Sequence, residues 1–123
     1  MKILLFILLA TTLTCQMKTA TNLGPERTEP AFIYANNLAV DGCEEFVRLD
    51  KGDSSSVDVM YKPTTASLPI LQKALSTIPI NVISSERAVT IRFAETGQQV
   101  ELQCGWASRP KVAEIEILSI AKR

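Results

Sequence analysis

Between Ala31 and Ile120 apolar residues recur mainly at every second position, the period of strands that bury one face. Phe32, Ile33 and Tyr34, followed by Leu38 and Val40, predict a first strand interrupted at Asn36-Asn37 by a bulge or turn. Asp41-Gly42 is a tight-turn signal, and Cys43, Val47 and Leu49 then share one face of a second strand over 43–49, with the Cys43 sulfur directed inward. After a polar turn from Lys51 to Ser56, Val57, Val59 and Tyr61 alternate with Asp58 and Met60 in a third strand that ends at Lys62-Pro63.

From Ser67 to Thr77 the period lengthens. Leu68, Leu71 and Leu75, with Ile70 and Ala74, fall at helical spacing behind Ser67 as N-cap, Pro69 is tolerated near a helix start, and the helix stops before Pro79. Ile80, Val82 and Ile83 belong to a connecting extended segment. Alternation then returns: Val89, Ile91 and Phe93 form one arm of a hairpin, Thr96-Gly97-Gln98 its turn, and Val100, Leu102 and Cys104 the other arm. After Ser108-Arg109-Pro110 a final strand places Ala113, Ile115 and Ile117 opposite Glu114 and Glu116, with a bulge or two-sided burial near Leu118 and Ile120. Three strands, a short helix and three further strands predict a mostly β fold over 31–123. The expectation is a small OB-like antiparallel barrel of five to six strands with one short helix; a small β sandwich with a helix is the alternative.

The N-terminus follows a different rule. Met1-Lys2 is a short positive start, Ile3 to Ala10 is unbroken apolar sequence, and Thr11 to Cys15 is smaller and more polar, the order of a secretory signal peptide over residues 1–14. The apolar run is well short of the roughly 20 residues that span a bilayer. The position of Cys15 resembles the lipobox of bacterial lipoproteins, although Leu13 lies two residues before the cysteine instead of three and Thr14 replaces the usual small residue. Lipidation of Cys15 is favoured over plain secretion, since Lys18-Thr19-Ala20 puts a lysine where ordinary cleavage wants a small residue. Residues 15–30, with Gly24-Pro25 and Glu29-Pro30, then read as a lipid-anchored tether.

Cysteine count changes the picture further. Three cysteines in an exported chain leave one unpaired. Lipidation accounts for Cys15, and Cys43 pairs with Cys104, closing a loop of about 60 residues worth on the order of 4 kcal/mol in the chain-entropy account. A redox-active pair is disfavoured, because close CxxC spacing and a neighbouring basic residue are both missing.

Composition excludes several chemistries. Thirteen basic residues balance thirteen acidic ones, so there is no electrostatic case for nucleic acid. The chain has no histidine, which removes histidine-based triads, acid-base work and zinc sites, and no phosphate-binding glycine motif is present. No cofactor or metal is expected. Asp50, Asp53 and Asp58 do not have calcium-loop spacing and read as a solvated turn. Glu44 and Glu45, considered with Asp41 as paired carboxylates, are adjacent strand residues that point to opposite faces, and Glu114 and Glu116 read as a solvent-facing stripe. Trp106, beside Cys104 and near Arg109, either stacks on the disulfide and closes the barrel end or stands out as an anchor for a ligand or partner; the packing role is the expectation.

Asp41-Gly42-Cys43, Tyr61-Lys62-Pro63, Leu68-Pro69, Val89-Thr90-Ile91, Cys104-Gly105-Trp106 and the closing Ile115-Glu116-Ile117-Leu118-Ser119-Ile120 resemble a group of small uncharacterised exported lipoproteins of Bacteroidota. The resemblance covers roughly residues 38 to 120 and implies lipidation, the disulfide and a β domain, with no activity attached. The absence of an acidic run in Gln16-Met17-Lys18 implies, by the same resemblance, a periplasm-facing anchor. The functional expectation is a non-enzymatic cell-envelope lipoprotein, held at the membrane through the lipid on Cys15, that binds a protein, peptide or small ligand. A carboxylate-based envelope hydrolase is the alternative.

Overall fold

The computed structural model describes residues 23–52, 59–83 and 86–123. Five strands and one helix follow one another as β1 (Arg27–Tyr34), β2 (Phe46–Leu49), β3 (Met60–Pro63), α1 (Leu68–Thr77), β4 (Arg87–Glu101) and β5 (Lys111–Lys122). The strands close into a barrel in the order β1-β2-β3-β5-β4, with β4 returning to β1. A closed barrel with one helix is formed, and the sandwich alternative is not. One pair departs from an all-antiparallel barrel: β3 runs parallel to β5, Tyr61 opposite Ala113 and Pro63 opposite Ile115. A parallel neighbour needs a crossover, which α1 and β4 together supply.

The period of two becomes the barrel interior. Ala31 and Ile33, Val47 and Leu49, Val89, Ile91 and Phe93, and Ile115 and Ile117 are all buried in one cluster. Leu71 and Ala74 of α1 join that cluster, so the helix closes the barrel where β3 stops and β4 begins. At the other end Tyr61, Arg27 and Glu95 converge over Phe93. The Arg27 guanidinium donates to Tyr61 Oη at 2.7 Å, pairs with Glu95 at 3.2 Å and lies 4.8 Å from the Phe93 ring centroid.

The helix begins as its sequence indicates, with Ser67 at the N-cap position, but the Ser67 hydroxyl makes no capping bond and Thr64 holds the N-cap residue in place. The Thr64 Oγ1 accepts the Ser67 backbone N–H at 3.1 Å, shares a hydrogen bond with Ser67 Oγ at 2.8 Å and donates to Glu116 at 2.9 Å. Ser67 itself makes no side-chain capping bond and is buried.

Four sequence expectations are corrected. The stretch 89–104 is not a hairpin: β4 is one continuous strand paired with β5 along its length, and the Gly97 signal marks a register shift between Glu95 and Gln99. Gly97 has φ +87, which serves a bulge as well as a turn. The first strand ends at Tyr34, and Leu38–Val40 form a 3-10 turn. That strand also starts at Arg27, inside the stretch read as tether. Pro30 is tolerated there because its carbonyl side faces Asp50, just past the end of β2, where no ladder donor is required of it. The second strand is shorter than expected, since Cys43 lies outside β2 and meets Cys104 in an isolated bridge. Asp53 and Asp58 lie outside the described residues, whereas Asp50 pairs with Arg123 at 3.0 Å.

Candidate functional site

Two irregular segments meet on the outside of the barrel, the β1–β2 loop (residues 35–45) and the β4–β5 loop (residues 102–110). Lys62 shows how they reach each other. Its neighbours Tyr61 and Pro63 are buried, so Lys62 faces outward from β3, where its Nζ contacts Glu44 at 3.0 Å and the Glu101 carbonyl at 3.2 Å. Lys62 thus ties the end of β4 and the β1–β2 loop to the outer face of β3.

The Cys43–Cys104 disulfide joins the two loops across 61 positions of sequence. Three hydrogen bonds accompany it: the Glu44 N–H to the Gln103 carbonyl at 3.0 Å, the Gly105 N–H to the Gly42 carbonyl at 2.7 Å, and the Gln103 N–H to the Glu44 carboxylate at 2.8 Å. Gly105 is required by this approach and Gly42 by the fold of its own loop: a Cβ on Gly42 would meet Asn37 Cβ at 2.6 Å, and one on Gly105, whose φ is +62, would meet Asp41 Oδ1. Asp41 is itself left-handed, with φ 65, a conformation that aspartate tolerates better than most side chains.

The left-handed Gly105 turns the chain outward, and Trp106 emerges 92 % exposed. The expected stacking of Trp106 on the disulfide is thus corrected: this indole faces solvent. Val40, from the other tied loop, is 77 % exposed, so each loop presents one large apolar side chain. Arg109 is exposed three residues beyond Trp106, and the loop ends at Pro110, which borders an open groove of about 450 Å³ lined also by Met60, Tyr61, Glu95 and Gln99. Leu102 and Val112 are buried beneath this end but lie outside the main core cluster.

The carboxylates considered for catalysis are brought to separate tasks. Glu44 receives Lys62 and Gln103; Glu45 receives Asn36 at 3.4 Å and Gln72 at 3.3 Å; Asp41 lies against Gly105. Glu114 and Glu116 are half-buried acceptors for Thr96 and Thr64, and not a free acidic stripe. Among the described residues no group of three or more acidic or cysteine side chains is placed to hold a metal ion.

A polar cluster that sequence reasoning did not single out lies on the outer face of β1 and β2. Tyr34 Oη donates to Glu86 at 2.5 Å and accepts from Arg48 at 2.8 Å, Arg48 also pairs with Glu86, and the Tyr34 and Phe46 rings stack at 4.5 Å. Burial, reinforced by the Glu86 hydrogen bond and opposed by Arg48, pushes the Tyr34 phenol up to about 12. At the far end of the barrel burial also raises the Tyr61 phenol, with Arg27 opposing it. The outward-facing alternation of Phe32 and Tyr34 with Phe46 and Arg48 was the available signal; Glu86, distant in sequence, was not.

These features define a small closed β barrel carrying a disulfide-tied rim with an exposed tryptophan. Comparison with protein-family models, curated proteins and solved structures gives no match to the chain.

Proposed function

We propose that the protein is a non-enzymatic cell-envelope lipoprotein whose barrel binds a protein, peptide or small ligand at the rim formed by the 35–45 and 102–110 loops. The observation that carries this reading is Trp106: a large apolar ring left 92 % exposed on a loop that a disulfide, three hydrogen bonds and the left-handed Gly105 fix in place. An amphipathic aromatic held in one orientation contributes contact area with little further loss of side-chain freedom on binding. The barrel is OB-like on this reading, supported by the strand order, the parallel β3–β5 pair and the helix between β3 and β4, and the tied segments correspond to the two loops by which such barrels hold ligands. The sequence of residues 1–15 supports export and lipidation at Cys15, with the domain facing the periplasm and resembling the small lipoproteins of Bacteroidota. A disulfide is compatible with that compartment.

The test compares what the mature protein and its Trp106→Ala variant retain from envelope extracts. A species held by the first and lost by the second supports the rim as the binding surface. Equal recovery by both contradicts it. The exposed position means that Trp106→Ala shifts stability by less than about 0.5 kcal/mol, so a lost partner is not a folding artefact.

A further inference from the structure

Apart from the rim and Leu23, the exposed large apolar side chains of the described residues lie on α1, the segment after it and the end of β5. Ile70 and Leu118 are 37 % and 36 % exposed and line one groove of about 500 Å³ with Ile78 and Ile120; Ile78 continues into a second groove with Ile80, which is 44 % exposed. Val82 and Ile83 follow in sequence at 89 % and 93 % exposure. Lys122 borders both grooves and Lys73 borders the first, whose lining contains no carboxylate. The one carboxylate of the second groove, Glu86, is already taken by Arg48 and Tyr34.

From this geometry we propose that the α1–β5 face, with the exposed Ile80, Val82 and Ile83 of the segment that follows α1, docks the domain onto an anionic phospholipid surface. The charge pattern selects this occupant. Apolar side chains that protrude from a face edged by lysine suit the boundary between acyl chains and acidic headgroups, where each lysine adds attraction and the apolar groups are removed from water. A second copy of the same face would bring Lys73 and Lys122 against their own equivalents, opposing like charges. Twelve positions separate Cys15 from Arg27 at the start of β1. A lipid on Cys15 would keep this face within range of the bilayer, but the docking surface stands on its own composition.

Hydrogen exchange of the mature protein, free and with vesicles, tests the proposal. Amides of residues 80–83 are expected to exchange several-fold more slowly on vesicles containing phosphatidylglycerol than on phosphatidylcholine alone. A Val82→Asp/Ile83→Asp variant, altered only at exposed side chains, should lose that protection. Lys73→Glu/Lys122→Glu should reduce the protection of residues 80–83 on the anionic vesicles several-fold and leave exchange on the neutral ones unaffected. Exchange at 80–83 that is the same on both vesicles and in solution overturns the proposal. So does protection that appears without lipid as protein concentration rises, which would make a second copy the occupant.

Discussion

Tyr34 is the residue whose chemistry is most altered by its setting. It holds its proton up to about 12 in the folded chain against 10.0 in its unperturbed state, because burial and the Glu86 carboxylate both disfavour the phenolate. Between those values the folded chain binds a proton that the unfolded chain has released, so stability is fully present below pH 10 and falls as pH rises through that window. Denaturant midpoints measured across alkaline pH are expected to show that fall, with Tyr61 contributing in the same direction, and Tyr34→Phe is expected to flatten it. An unchanged slope in Tyr34→Phe would place the titration elsewhere. At the same scale, the direction of Trp106 could not be read from Cys104-Gly105-Trp106. An indole beside a disulfide is chemically suited to stack on it, and only the left-handed Gly105, packed against Asp41, turns it away.

Among the elements, α1 was the most legible, because its period, its proline near the first turn and the proline beyond its end all agree. Its cap was not. Ser67 has the right chemistry at the right position, yet its hydroxyl is drawn into the bond with Thr64, which also accepts the Ser67 N–H and ties the helix start to Glu116 of β5. Thr64→Val keeps the shape and removes those bonds, and is expected to cost about 1–2 kcal/mol in urea unfolding with an unchanged slope. An unchanged midpoint would show that Thr64 contributes nothing there. The strands tell a similar story. Inward residues were readable from alternation, but Thr96-Gly97-Gln98 announces a turn and a bulge with the same residues, and the continuous pairing of β4 with β5 decides for the bulge. Pairing partners that come together through tertiary closure, such as parallel β3 and β5, leave no local trace in either strand.

For the whole molecule the disulfide has two separable effects. In the unfolded chain it closes a long loop, so Cys43→Ser/Cys104→Ser is expected to lose on the order of 4 kcal/mol of stability. In the folded chain it acts locally, since neither cysteine belongs to the core cluster that α1 and the five strands enclose. The pairing itself was legible from the cysteine count with Cys15 read as lipidated; how the two loops meet was not, because it rests on hydrogen bonds of Glu44 with Gln103 and of Gly105 with Gly42, pairs distant in sequence. The disulfide thus bears on the rim that carries Trp106 and not on the core. As the chain has one tryptophan, its time-resolved fluorescence anisotropy reports on that rim directly. The account predicts that Trp106 tumbles with the whole domain while the disulfide is intact. It predicts that fast local motion appears in Cys43→Ser/Cys104→Ser with the β-barrel circular dichroism unchanged. Equal local freedom of Trp106 in both proteins would contradict it.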